Sequence, residues 1–186
     1  GYYDLVLKSG RFSDKSPQAA WHNKTFTKIS NFINEEDYLL DYACGPGTLT
    51  GQYLDLKKNP ICVDISKKQI NYATKVYKGK AIYMTVNEFN FNDYHNKFDT
   101  ITCLGLFEFI SNEEGIELLN NFYKILKPNG NLYVTTPNFK TSMRLLEFFL
   151  NRLGSLNYSK EYKSKYTKKT FNELIKKSTF KIENIE

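Results

Sequence analysis

The stretch that most constrains this chain is Tyr38–Gly51, which reads Tyr-Leu-Leu-Asp-Tyr-Ala-Cys-Gly-Pro-Gly-Thr-Leu-Thr-Gly. Its opening apolar run has the length of a strand and ends at Gly and Pro, which predicts a buried strand over Tyr38–Tyr42. Gly45 and Gly47 lack a Cβ, so the backbone can turn sharply and a ligand can come close. We expect Thr48–Leu56 to begin a helix whose free N–H groups face that ligand.

Two details separate the cofactor classes that use a strand–glycine loop–helix unit. A dinucleotide fold has Gly-x-Gly-x-x-Gly, with the pyrophosphate at the helix N-terminus. Here the third glycine, Gly51, lies one residue further along than this pattern requires, so the spacing is Gly-x-Gly-x-x-x-Gly. Asp41, at the end of the strand, would repel a pyrophosphate and attract a cationic ligand. A tight turn in an unrelated α/β protein stays open as an alternative for the glycine pair alone.

The run Asp41-x-x-Cys44-Gly45-x-Gly47 resembles the first motif of the class I S-adenosylmethionine-dependent methyltransferases. The resemblance implies S-adenosyl-L-methionine as the cofactor, which has an ammonium, a sulfonium and no phosphate. It places Asp41, Ala43, Cys44, Gly45 and Gly47 in the cofactor site.

A second apolar strand is predicted over Pro60–Asp64, and Ser66 can cap a following helix, Lys67–Tyr77. Asp64 lies 17 residues past Gly47, close to where an acid would bind ribose hydroxyls. The run Val63-Asp64-Ile65-Ser66, followed by Gln69 and Ala73, looks like the segment after that first motif. The resemblance implies that Asp64 binds ribose and that Ile65 lies against adenine. A surface acid at a strand end is the alternative for Asp64.

Two further strands, Lys80–Val86 and Phe98–Leu104, complete the predicted cofactor edge. After the first of them, Asn87 stands where the family often has an acid that reads adenine. Its amide oxygen can still accept from an amino group. The resemblance adds the neighbours Glu88 and Phe89 to the site, and Leu104 at the end of the next strand.

The segment Gly105–Ile110 follows a strand at the edge where open α/β sheets bind ligands. Methyltransferases that act on amino groups of DNA bases resemble Asp/Asn-Pro-Pro-Tyr/Phe at this point, and this chain does not. Glu108 either faces the substrate or caps the local helix. No catalytic residue is identified, and His22, Glu108 and Tyr3 are candidates for a general base.

The other elements are predicted from helical periodicity and turn residues. We predict one domain overall, made of a helical lid segment, 1–37, and a methyltransferase domain, 38–186. The helix in the first segment either packs on the sheet or covers the ligand. The turn at Leu126–Gly130 resembles the family's Leu-Lys-Pro-Gly-Gly. The predicted elements are helices Pro17–Ile33, Glu113–Leu126, Thr141–Leu153 (over the substrate cleft) and Thr167–Ser178 (with a break at Thr170), and strands Asn131–Thr136 and Phe180–Glu186.

Alternating strands and helices predict an α/β fold with a doubly wound, mostly parallel sheet. The resemblance makes it Rossmann-like, and we expect the family's seventh, antiparallel strand to be missing. The 186 residues suit one domain, and no apolar run approaches about 18 residues. Three scattered cysteines indicate neither a disulfide framework nor a metal site, and no signal-peptide pattern opens the chain, so we expect a cytoplasmic protein.

Charge is concentrated towards the C-terminus. Residues 151–186 hold 9 Lys/Arg against 4 Asp/Glu, whereas residues 1–150 hold 17 against 16. Such a tail either contacts nucleic acid or an acidic partner, or is a solvated helix face, which we favour.

Together these features indicate a methyltransferase that moves a methyl group to an O, N or C nucleophile of a small molecule. Alignment of nucleophile, methyl group and sulfur can supply about 7–11 kcal/mol. A non-catalytic cofactor-binding or protein-interaction member, an RNA methyltransferase and an NAD-type oxidoreductase are the alternatives, the last disfavoured by Asp41 and Gly51. The acceptor, the methylated atom and the oligomeric state stay open.

Overall fold

The computed structural model describes the backbone of residues 17–140 and 162–183, and within these ranges the side chains from residue 22 onward. The predictions for Tyr3, for the helix Thr141–Leu153 and for most of the loop after it lie outside the described residues. The chain forms two compact units. The first unit comprises Gly1–Cys103 and Ile125–Tyr133, and the second comprises Leu104–Lys124 and Val134–Glu186.

In the described part of the chain, five strands form one sheet in the order β3-β2-β1-β4-β5. β1 pairs in parallel with both β2 and β4, and β2 pairs in parallel with β3. The chain thus winds outward in both directions from β1, which confirms the predicted doubly wound, Rossmann-like sheet. The strands are β1 Leu39–Tyr42, β2 Ile61–Asp64, β3 Ile82–Thr85, β4 Phe98–Leu104 and β5 Leu126–Thr135.

Four α-helices are described: α1 Pro17–Ser30, α2 Lys67–Val76, α3 Asn112–Ile125 and α4 Lys168–Ile175. Ser66 caps α2 as predicted, because its hydroxyl accepts the Gln69 N–H. Short 3-10 turns lie at Phe91–Tyr94 and Phe107–Phe109.

The central strands are apolar because both of their faces are covered, as parallel sheets require. Leu39, Leu40, Ile61, Val63 and Ile101 are at most 2% exposed. Strand positions predicted from apolar runs are therefore confirmed for β1, β2 and β4 to within one residue.

The helix predicted over Thr48–Leu56 begins where expected, but it is π-helical and ends at Tyr53. The structure has a five-residue π-helical turn, Leu49–Tyr53, after which Leu54 is extended. Gly51 lies inside this turn, and glycine is a poor helix former. α1 packs on the turn, since the Phe26 and Tyr53 rings lie 5.4 Å apart and Tyr53 donates to Asn23 Oδ1 at 2.8 Å.

The turn predicted at Leu126–Gly130 is also corrected, since β5 begins at Leu126. This segment is held beside β4: the Lys127 ammonium reaches Asp99 Oδ1 at 2.6 Å, and the Lys97 N–H donates to the Ile125 carbonyl. Only Asn129 keeps a turn conformation, with φ 64°.

Two predictions in the second unit are wrong. Thr170 does not break the last helix but completes its capping box with Thr167, the residue before α4. Residues 180–183 are not a strand. The Phe180 N–H donates to Ser178 Oγ, and the Phe180 ring packs edge-on against Tyr123 of α3. This segment therefore contacts a helix.

Two searches of the described residues are negative. None of their helices combines the length and hydropathy needed to cross a membrane. No group of three or more His, Cys, Asp or Glu side chains is arranged to hold a metal ion within the same ranges.

Candidate cofactor site and the buried Glu108

The glycine loop of the first unit is fixed by its own backbone hydrogen bonds. Ala43, Gly45 and Gly47 have φ of 64°, 55° and 75°, a left-handed conformation that glycine adopts without strain. The Cys44 N–H donates to the Val63 carbonyl at 3.0 Å, and the Gly47 N–H to the Cys44 carbonyl at 3.1 Å. The loop is therefore closed on itself and attached to β2.

Asp64, at the end of β2, holds the loop from the other side. Its Oδ2 accepts the Gly45 N–H at 2.9 Å and its Oδ1 accepts the Ser66 N–H at 2.8 Å. Burial raises the pKa of Asp64, and these backbone N–H groups oppose the rise. The N–H groups of Gly45 and Gly47 are therefore both occupied within the protein.

Asp41 is the second buried acid of this loop. It is 2% exposed, and its Oδ1 accepts the Thr102 hydroxyl of β4 at 2.8 Å. Its Oδ2 is buried and has no hydrogen-bond partner in the described part of the chain. Burial raises the pKa of Asp41 to about 7; the Thr102 hydrogen bond opposes the rise and the charge of Asp64 adds to it. Asp41 Oδ2 can therefore still pair with a cation or accept a hydrogen bond.

The two loop glycines have different neighbours. A Cβ on Gly45 would meet nothing closer than the Gln69 side chain at 3.9 Å. A Cβ on Gly47 would lie 2.9 Å from the Tyr83 ring and 3.0 Å from the Ala73 Cβ. Gly47 is thus required by packing, whereas the surroundings of Gly45 leave space.

Gln69 is a site residue that the sequence reasoning named only as part of a motif. It is 3% exposed on α2, and its Oε1 has no hydrogen-bond partner among the residues described. A buried side-chain amide beside a glycine loop is unusual, because buried polar groups are normally paired. Its position three residues after the cap Ser66, on the buried face of α2, is the signal that could have identified it.

The predicted adenine-contacting residues fall into two groups. Ile65 is 68% exposed and Asn87 and Glu88 are exposed, so a ligand can reach them. Glu88 accepts from the backbone and hydroxyl of Thr85, which lowers its pKa. Phe89 is instead buried, stacked on Tyr94 with ring centroids 4.9 Å apart. Their contacts with a cofactor stay predictions.

Cys44 is a structural thiol of this loop. A hydrogen bond with Cys62 is the main cause that raises its pKa, and burial adds to the rise. A thiol with a raised pKa is a poor nucleophile, because the thiolate is the reactive form.

The remaining predicted residues lie elsewhere. His22 is on α1, stacked on Phe26, and burial lowers its pKa, so its imidazole is neutral at pH 7. Leu104 and Glu108 belong to the second unit. The structure therefore brings Asp41, Ala43, Cys44, Gly45, Gly47 and Asp64 together in the first unit.

Glu108 is a buried carboxyl group in the second unit. It is 5% exposed, and its Oε2 has no hydrogen-bond partner among the residues that are described. Burial raises its pKa to about 7, against the effect of its own backbone N–H and of the Thr136 hydroxyl. Its carbonyl oxygen accepts the N–H groups of Lys163 and Ser164 at 2.9 and 3.2 Å, which anchors the Phe107–Phe109 turn.

Comparison with known proteins supports the class that this fold and loop define. Residues 39–130 match the family described as "Methyltransferase domain". The chain is 26% identical over 152 residues to an uncharacterized protein of Rickettsia prowazekii, covering 76% of this chain and 61% of that protein. It is 27% identical over 127 residues to an uncharacterized methyltransferase of Oceanobacillus iheyensis, covering 66% and 59%. The chain thus spans about three fifths of the length of these two relatives.

The fold is also shared with a solved structure. Magnesium protoporphyrin IX methyltransferase from Synechocystis, with bound S-adenosylhomocysteine (SAH), superposes with a TM-score of 0.69 at 15% identity, covering 94% of this chain and 86% of that one. The fold and the domain match define a Rossmann-like methyltransferase domain. In its matched domain and in its fold, the chain is similar to the class I S-adenosylmethionine-dependent methyltransferases.

Proposed function

We propose that this protein transfers the methyl group of S-adenosyl-L-methionine to an O, N or C nucleophile of a small molecule. The glycine loop with Asp41 and Asp64 binds the cofactor. Ile65, Asn87, Glu88, Phe89 and Leu104 complete the predicted contacts with its adenosine part.

The observation that carries this proposal is the charge and hydrogen bonding of the loop: it has a buried acid with an oxygen that the described part of the chain leaves free, and its two glycine N–H groups are already paired. Both loop glycines spend their N–H groups inside the protein, on Asp64 and on the Cys44 carbonyl, so neither of these two groups is free for a pyrophosphate. Asp41 Oδ2, in contrast, lacks a partner among the described residues. A ligand that brings an ammonium group satisfies this oxygen, and a dinucleotide does not.

The residues present therefore fit the cofactor. Asp41 would accept from its ammonium group, and Asp64 would orient the loop while its exposed neighbour Ile65 would cover an apolar ring. When bound, the cofactor supplies a methyl group on a positively charged sulfur, which is a good leaving group. The protein then has to hold the acceptor and exclude water, and both effects depend on alignment.

A small-molecule acceptor is supported by the segment after β4. Phe107 and Glu108 are buried there, and the motif of base-amino methyltransferases is absent from the sequence. A nucleic-acid acceptor would require affinity that falls steeply with salt.

Titration calorimetry with S-adenosylmethionine, SAH and NAD tests the cofactor. We expect the first two to bind and NAD not to bind. Binding of NAD without response to SAH would contradict the proposal. Release of labelled methyl groups across a metabolite panel then tests the transfer itself, since a non-catalytic member would bind SAH and methylate nothing.

A pair of variants tests the role of the loop. Asp41→Asn removes the unpartnered carboxylate and should weaken SAH binding by about 10- to 100-fold, the range for a buried charged hydrogen bond. Asp55→Asn is the matched control, because Asp55 is almost fully exposed and, within the described ranges, pairs with Lys80 at 3.5 Å. Equal binding by both variants would contradict the assignment of Asp41.

A further inference from the structure

We infer that Gln69 is a second hydroxyl acceptor beside Asp64, and that it makes the protein select a cofactor whose ribose keeps both hydroxyl groups. The inference rests on the proposed methyltransferase function and names a specificity-determining residue for its cofactor. One ribose hydroxyl would donate to Asp64, and the other would donate to Gln69 Oε1.

Hydrogen bonds join Gln69 to the glycine loop through Asp64 and Ser66. Asp64 Oδ2 accepts the Gly45 N–H at 2.9 Å, and its Oδ1 accepts the Ser66 N–H at 2.8 Å. The Ser66 hydroxyl in turn accepts the Gln69 N–H at 3.4 Å. All four residues lie in the first unit. The start of α2 is therefore held beside the loop at the carboxyl end of β2, the edge where open α/β sheets bind ligands.

The side-chain amide of Gln69 is buried, and its oxygen is unpaired. Gln69 is 3% exposed, and its Oε1 accepts no hydrogen bond within the ranges 22–140 and 162–183. An ideal Cβ on Gly45 would lie 3.9 Å from Oε1 and 4.0 Å from Nε2, so both end atoms of the amide face this glycine. Buried side-chain oxygens are normally paired, and a bound hydrogen-bond donor would pair this one.

The carboxylate of Asp64 has too few free positions to hold a diol by itself. A carboxylate offers about four lone-pair positions for hydrogen bonds. The backbone N–H groups of Gly45, Ser66 and Ile65 already bond to Asp64. About one position is left, which suits a single hydroxyl group. The second hydroxyl of a vicinal diol needs another acceptor, and Gln69 Oε1 supplies it next to the same loop.

Charge divides the donors of the cofactor between Asp41 and Gln69. Asp41 is acidic, and its Oδ2 is unpaired among the described residues, so it attracts the ammonium group. The Gln69 amide is neutral and suits a neutral donor such as a hydroxyl group. A phosphate ester on the ribose would remove that donor and would face the charge of Asp64. The pair Asp64 and Gln69 therefore favours a nucleoside with a free diol.

Calorimetry with SAH and its 2′-deoxy and 3′-deoxy analogues tests the inference. In the wild type we expect each analogue to bind about 10-fold more weakly than SAH, because one buried acceptor is left unpaired. In Gln69→Met, which has a side chain of similar size and no amide, the loss for one analogue should disappear while the other persists through Asp64. Gln69→Glu keeps an acceptor oxygen and should keep both losses. Asn71→Ala, which removes an exposed amide of α2, is the matched control and should also keep both.

Each result is a ratio of affinities measured on one variant, so a general weakening of binding does not imitate it. Wild-type losses for both analogues in Gln69→Met would overturn the inference, and so would a wild type that binds all three ligands alike. Gln69→Leu also lacks the acceptor and gives the same test if Gln69→Met does not fold. A wild type that does not bind SAH would remove the proposed function together with the inference. SAH binding with unchanged ratios in the variants would remove the inference alone.

Discussion

Two carboxyl groups, Asp41 and Glu108, are buried and each keep one oxygen that no described residue satisfies. At the scale of single residues such oxygens are a cost to the apo protein, because a buried carboxylate loses its hydration. Both groups consequently have a pKa raised to about 7. Ligand affinity at Asp41 should therefore depend on pH in the neutral range.

SAH affinity should rise with pH through Asp41. Below pH 7 Asp41 is mostly protonated in the free protein and cannot attract an ammonium group, whereas above pH 7 it is charged. We expect Kd to decrease about tenfold between pH 6 and pH 8. The groups facing Asp41 are Asp64 and the Thr102 hydroxyl, and Asp64 also titrates above its usual range. Calorimetry at both pH values measures the change, and Asp41→Asn should lose most of it; an unchanged pH dependence in that variant would contradict the assignment.

The loop glycines should differ in how much alanine destabilises them. Gly47→Ala adds a Cβ that would lie 2.9 Å from the Tyr83 ring, at a positive φ. Overpacking and strain together should lower the free energy of unfolding by about 2–4 kcal/mol. Gly45→Ala has the strain without the clash, so about 1–2 kcal/mol is expected. Urea unfolding of both variants checks the order, and a larger loss at Gly45 would contradict the packing argument.

At the scale of elements, the π-helical turn Leu49–Tyr53 and the end of α2 depend on each other. A Cβ on Gly51 would clash with the Tyr77 ring at its Cγ and Cδ atoms, close to the backbone end of that side chain. Gln52 Nε2 also donates to the Tyr77 hydroxyl at 2.6 Å. Gly51 thus serves helix packing, which explains why its spacing departs from the dinucleotide pattern.

This dependence should appear in a double-mutant cycle. Gly51→Ala alone should destabilise by about 1–3 kcal/mol through overpacking. In a Tyr77→Ala background the clash is absent, so most of that loss should vanish, giving a coupling of about 1 kcal/mol or more. Chemical denaturation of the four proteins measures the coupling. Additive effects would show that the two elements do not constrain each other.

At the scale of the whole molecule, the raised acids should make the apo protein more stable at mildly acidic pH. Between about pH 4.5 and pH 7 the folded state holds protons on Asp41 and Glu108 that the unfolded chain has released. The free energy of unfolding therefore falls as pH rises through this window. We expect a higher Tm at pH 5.5 than at pH 8 and a smaller difference in the double variant Asp41→Asn, Glu108→Gln. Thermal unfolding measures it, and an equal pH dependence in that variant would contradict the raised pKa values.

Elements whose signal is local could be predicted from the sequence. The apolar runs of β1, β2 and β4, the Ser66 cap and the α/β alternation were all identified, because burial on both faces leaves an uninterrupted apolar segment. The predictions of secondary structure failed in segments that contact residues far away in the sequence. Lys127 reaches Asp99 where β5 begins, and Phe180 packs on Tyr123 of α3 in the segment predicted as a strand.

The sequence alone determined the class of fold and the acidic, glycine-rich loop, because strand hydrophobicity and glycine spacing are written along the chain. Only the tertiary structure decided which loop N–H groups are occupied and which carboxyl oxygens lack a partner. Those properties depend on β2 meeting the loop at Asp64 and on β4 meeting Asp41 at Thr102. Such contacts join residues 19 and 61 positions apart, and no local pattern specifies them.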